Sequence, residues 1–140
     1  MSHKHYSLQS YISKERMPLW VIHIPEGKHL QRSFHDHSHS EIVLILGGTA
    51  LHLLNEKQVT VKAGDILVIH PGFTHSYDQT GDLELINIIY DSRKLFLPVL
   101  DGYSLPLFRY FFPDGSEPVN CSAEPLMHLN SDEQQKLVGM

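Results

Sequence analysis

The sequence has a single cysteine, Cys121, in 140 residues. No internal disulfide can form, so the fold must rest on packing and hydrogen bonds. A lone thiol fits a reducing compartment and reads as a packed side chain rather than a nucleophile. No run of about 20 apolar residues exists to cross a bilayer. Met1-Ser2-His3-Lys4-His5-Tyr6 leads into no apolar stretch of a secretory leader, and a cytoplasmic location is expected. Positive charge is short as well: 11 Lys and Arg against 16 Asp and Glu give a net charge of −5. That balance provides no electrostatic footprint for nucleic acid or an anionic membrane. Histidine is the residue in excess, with 11 copies, most of them in the central segment.

The central segment also lacks helical periodicity. It reads as short β-type runs cut by turn residues: Leu19 to Ile24, Ile42 to Leu46, Ala50 to Leu54, Gln58 to Val61, Ile66 to Ile69, His75 to Gln79 and Leu83 to Tyr90. Strands at this spacing indicate an all-β sandwich or barrel, and the length suits one domain. Residues 1–18 are expected to form an arm, 19–130 the barrel, and 131–140 the start of a helical region cut off at Met140. Ser92 to Leu100 reads as a short helix or an irregular crossing. The aromatic run Phe108 to Phe112 is expected to pack as a short strand, and Leu126 to Leu129 as another. Ser131 and Gln134 have the spacing of a capping box that starts a helix at Asp132.

The segment His35-Asp36-His37-Ser38-His39-Ser40-Glu41 carries the chemistry. Strand side chains two residues apart share a face, so His35 and His37 point together, and Glu41 joins them if the strand is unbroken. A second segment, Gly64-Asp65 to His70-Pro71-Gly72-Phe73-Thr74-His75, presents His75 after a tight turn. Three imidazoles and one carboxylate suit Zn, Ni, Mn, Fe or Cu, with positions left open for a ligand. They equally suit a metal-free polar pocket, and both readings stay open. Tyr77 shares parity with His75. Asn87 is a lone amide in an apolar strand and needs a partner if buried. His39 is expected at the rim or in solvent, or in place of one of its neighbours if the strand contains a bulge, and His52 and His70 as structural or surface residues. Trp20 is expected in the core, and His3 and His5 in solvent.

The spacing H-x-H-x3-E-x6-G, carried by His35, His37, Glu41 and Gly48, resembles the first motif of the cupins. Gly64, Gly72 and His75 resemble the second. There are three departures: His70 stands at the motif's proline position, Gln79 at its terminal asparagine, and His29 where a glycine precedes the first motif. The resemblance implies a double-stranded β-helix (jelly-roll) barrel. A narrower resemblance, over about 55 residues from His35 to Tyr90, is to the N-terminal domain of AraC-type transcription regulators. Within that family Ser40-Glu41-Ile42-Val43, Leu51 to Asn55 and Asn87 to Tyr90 look most like the rhamnose-responsive activators.

The AraC resemblance implies an effector-sensing domain for a small, sugar-like molecule, with DNA contacted only through a C-terminal helix-turn-helix part outside this sequence. It implies ligand contacts from His35, His37, Glu41, His75, Tyr77 and Asn87. No metal is required, though the first, second, third and fourth of these could hold a divalent ion. A monomer or weak homodimer is expected. The competing reading is a small metal-dependent enzyme, such as a dioxygenase, isomerase or epimerase, for which the donor set is the only support.

Overall fold

A computed structural model describes residues 4–7, 18–27, 33–95, 101–116 and 118–139. It contains ten strands: β1 (Lys4–Tyr6), β2 (Leu19–Ile24), β3 (His35–His37), β4 (Ser40–Gly47), β5 (Thr49–Leu54), β6 (Lys57–Lys62), β7 (Asp65–Ile69), β8 (His75–Asp78), β9 (Glu84–Tyr90) and β10 (Met127–His128). Two helices follow the strands of the barrel, α1 (Pro106–Phe111) and α2 (Ser131–Val138). The strands form two five-stranded sheets, ordered β1-β3-β8-β5-β6 and β10-β7-β4-β9-β2. From β3 to β9 the chain passes repeatedly from one sheet to the other, so it coils as the expected jelly-roll barrel does. Only β1–β3 is parallel among the described pairings.

Alternation along each strand sets what lies between the sheets. Val43, Ile45, Leu67, Ile69 and Leu85 face inward from the second sheet, and Ala50, Leu54, Val61 and Tyr77 from the first. These apolar residues fill much of the interior. The rest of the interior is polar.

Several local expectations need correction. Phe108 to Phe112 lies mainly in helix α1, not in a strand. Pro106 stands in its first turn, where the missing N–H costs nothing and φ is already helical. Phe108 then meets Phe112 four residues on, and Phe112 packs on Tyr90. The capping box is one residue earlier than expected: the Asn130 side chain accepts from the Glu133 N–H, and the Glu133 carboxylate accepts from the Asn130 N–H. A carboxylate at this position makes a charge-assisted bond and favours the positive helix end, which Gln134 cannot do. Trp20 is 40% exposed, because β2 is the edge strand of its sheet. In the expected arm, Lys4–Tyr6 forms β1, and the exposed His5 ring donates to Asp36. His3, His29, residues 8–17 and 96–100 lie outside the described residues, so those parts of the arm and of the Ser92–Leu100 segment are not placed. Gln79 adopts φ 55°, a left-handed conformation that asparagine would take more readily.

Gly64 (φ 96°) and Gly72 (φ 85°) are both left-handed, as tight turns require. Their surroundings differ. A Cβ on Gly64 would sit 2.3 Å from the Leu129 carbonyl oxygen, whereas one on Gly72 would meet nothing within 4 Å. Gly72→Ala should therefore cost only the conformational penalty, about 1–2 kcal/mol. Gly64→Ala should cost at least about 1 kcal/mol more, since backbone must shift to relieve the contact. Urea titration of both variants checks this; equal losses would contradict it.

Candidate functional site

β3 ends at His37 and β4 begins at Ser40, so the strand assumed to run unbroken from His35 to Glu41 is in fact interrupted at Ser38-His39. The break carries the chain from one sheet to the other. It puts His35 and His37 on the first sheet and Glu41 on the second, facing them across the interior. β8 lies beside β3, with His75 opposite His35. His35, His37, His39, Glu41 and His75 are all buried.

The cluster is tight. His37 Nε2 lies 3.2 Å from His75 Nε2, 3.5 Å from Glu41 Oε2, and His75 Nε2 is 3.7 Å from the same oxygen. The donor atoms of His35, His37 and His75 lie within 4.8 Å of one another. Ligands bound at about 2.1 Å to one ion stand about 3.0 Å apart in an octahedron and about 3.4 Å apart in a tetrahedron. The separations are of that size. The outer contacts fit too: His35 Nδ1 donates to the Ser33 carbonyl and His37 Nδ1 to the His39 carbonyl, which turns each Nε2 lone pair inward, as metal-binding histidines require. The donor set therefore fits a divalent transition metal.

His39 is not at the rim as expected. It is buried, stacks on His37 at 4.4 Å, and its Nε2 stands 3.3 Å from Glu41 Oε1. His37, His39 and Glu41 form a second group of closely spaced donors. His52 is not a surface residue either. It is fully buried and stacked on Tyr77, and its ring reaches His75. Strand alternation carried a signal for it: His52 lies between Ala50 and Leu54, which both face the core. His70 is structural. Its Nε2 donates to the Tyr110 carbonyl at the end of α1, and its Nδ1 accepts from the Ser40 hydroxyl. Tyr77 is buried beside His75, and Asn87 faces inward between Leu85 and Ile89.

Charge is distributed unevenly here. Burial would raise the Glu41 carboxyl, but His37, His39 and His75 outweigh it and hold the group below the usual carboxylate range. Burial lowers His37, and His75 further, against the pull of Glu41. Burial also lowers His52 and His70, and raises the Tyr77 phenol, with Glu41 adding to the effect. At neutral pH Glu41 is a carboxylate beside the neutral imidazoles of His37 and His75. Among the described residues the ion-pair partners of Glu41 are all histidines, with no Lys or Arg among them.

A scan of family models matches residues 20–133 to the AraC-like ligand binding domain. The chain is 31% identical over 129 residues to the HTH-type transcriptional activator RhaR of Mannheimia succiniciproducens, covering 89% of this chain and 43% of that protein. It is 35% identical over 91 residues to the RhaR of Yersinia pseudotuberculosis, covering 64% and 30%. The chain thus spans less than half the length of the curated relatives it matches. Similar solved structures include a predicted oxalate decarboxylase from Thermotoga maritima (32% identity, TM-score 0.42, covering 51% of this chain and 64% of that one). Another is a cupin-2 domain containing protein from Shewanella frigidimarina (18% identity, TM-score 0.40, covering 50% and 66%).

The lowered imidazoles set a pH dependence. In the unfolded chain they titrate near the ordinary value of 6.5; in the fold they titrate lower. Below 6.5 the unfolded chain binds more protons, so stability falls as pH falls. The Glu41 contribution is lost only below its ordinary 4.5. Calorimetric melting temperature should therefore decline steadily from pH 7 to pH 5. A flat profile across that window would contradict the assignment of neutral buried imidazoles. With a continuous match across most of its barrel, the chain belongs to the AraC-like ligand binding domain family.

Proposed function

We propose that this domain senses a small polyhydroxylated molecule, sugar-like, on behalf of a transcription regulator whose DNA contacts lie in another part of the protein. His35, His37, Glu41, His75, Tyr77 and Asn87 form the binding pocket. One observation carries the reading. Among the described residues, His35 Nε2, His75 Nδ1, Tyr77 Oη and Asn87 Oδ1 are sealed in the interior without a hydrogen-bond partner. Each such group costs about 1–3 kcal/mol if left unsatisfied. A ligand bearing several hydroxyls satisfies both donors and acceptors of this kind. Binding then biases the choice between conformations of the whole regulator, which is how a sensing domain passes its signal.

The same pocket is proposed to hold a divalent metal on His35, His37, Glu41 and His75. The fitting donor spacing and the unbalanced carboxylate support it. Bound there, a Zn, Ni, Mn or Fe ion would supply a Lewis-acidic contact to a ligand oxygen. The complete donor set also favours a second reading, a small metal-dependent enzyme. Recovery of a sugar unchanged after incubation with metal-loaded protein supports sensing, and a converted product supports the enzyme.

A thermal-shift screen of L-rhamnose, other aldoses and sugar acids tests the ligand class. A true effector at about 100 times its Kd stabilises by about 2.7 kcal/mol, which should raise the melting temperature by several degrees. No shift with any of them at millimolar concentration contradicts a sugar sensor. Elemental analysis of protein purified without a His-tag or nickel column tests the metal. About one equivalent is expected, and only trace amounts would overturn the metal-bound form.

A further inference from the structure

Resting on the sugar-sensing reading, we propose that His52 and Tyr77 form a hydroxyl-selective subsite beside the His35–His37–Glu41–His75 cluster. His52 projects inward from β5, in register with Tyr77 on β8. Its Nδ1–H donates to the Ala123 carbonyl at 2.9 Å. That bond fixes the ring and commits the proton to Nδ1, so Nε2 presents a lone pair and acts only as an acceptor. Burial keeps the ring neutral. Nε2 is itself buried, and no group among the described residues bonds to it.

Tyr77 supplies the complement. Its hydroxyl is buried and equally without a partner among the described residues. The two rings stack at 5.1 Å with planes 28° apart, and the phenol and Nε2 make no bond to each other. Both rings abut His75, at 5.7 and 5.8 Å between centroids. The pair therefore offers one acceptor and one donor next to the central cluster. A hydroxyl group satisfies both at once, by donating to His52 Nε2 and accepting from Tyr77 Oη. A carboxylate or a carbonyl oxygen has no proton to give His52, and leaves its lone pair unsatisfied. The subsite thus selects an alcohol over an acid or ketone at that position of the ligand.

The test uses the full chain and isothermal titration with L-rhamnose, a set of common aldoses and their single-deoxy analogues. Wild-type protein is expected to bind one sugar and to lose about tenfold or more in affinity for one deoxy analogue of it. His52→Leu and Tyr77→Phe should each weaken the parent sugar by about tenfold and narrow its advantage over the deoxy analogue. His52→Gln, which keeps an acceptor oxygen near the Nε2 position, should stay within about threefold of wild type. If His52→Leu does not fold, Tyr77→Phe and His52→Gln carry the comparison. Variants that bind the sugar as tightly as wild type, with the same hydroxyl preference, overturn the subsite alone. If wild type binds no sugar, the sensing reading falls and the subsite falls with it.

Discussion

Glu41 is a carboxylate buried among histidines, two of which, His37 and His75, burial keeps neutral, and the rest of the site depends on that arrangement. A buried charge is tolerated only when it is paired or richly hydrogen-bonded. Here the pairing comes from His37, His39 and His75. The barrel makes this possible at one place, the break at Ser38-His39, where the chain changes sheets. Without the crossing, Glu41 would stand on the same sheet as His35 and His37. With it, the carboxylate faces them from across the interior. The apolar layer of Val43, Leu67, Leu85 and Leu54 beside the cluster holds the two sheets at a fixed spacing, and so fixes the donor separations.

The polar interior is held from outside by backbone carbonyls. His35, His37 and His52 each give their Nδ1 proton to a carbonyl oxygen, of Ser33, His39 and Ala123 respectively. The rings are thereby oriented before any ligand arrives, and reorganisation on binding is small. His70 uses its ring differently, linking Ser40 to the last turn of α1. His70 thus meets the backbone through the opposite ring nitrogen from His35, His37 and His52.

Much of this was legible in the sequence. The strand rhythm from Leu19 to Tyr90 located seven strands closely, because alternation and turn residues agree there. Motif spacing brought His35, His37, Glu41 and His75 to one place. What was not legible depended on tertiary contacts. The position of His39 follows from a break in the strand that local pattern does not reveal. His52 was discounted because a histidine in a strand is often at the surface. Its partner, Ala123, lies 71 residues away. The helix at Pro106 competed with the β-propensity of its aromatics, and the proline at its first turn decided the outcome. The cap of α2 falls on Asn130, one residue before the expected Ser131, where Glu133 supplies a charged reciprocal acceptor.

The central claim is that His35, His37 and His52 carry their imidazole protons on Nδ1 and turn Nε2 lone pairs toward a shared space. Long-range nitrogen–proton NMR of the histidine rings at pH 7 measures this directly. The account predicts protons on Nδ1 at His35, His37 and His52, with the His37 and His52 rings neutral. Protons on Nε2 at these three residues, or doubly protonated rings at His37 or His52, would contradict it.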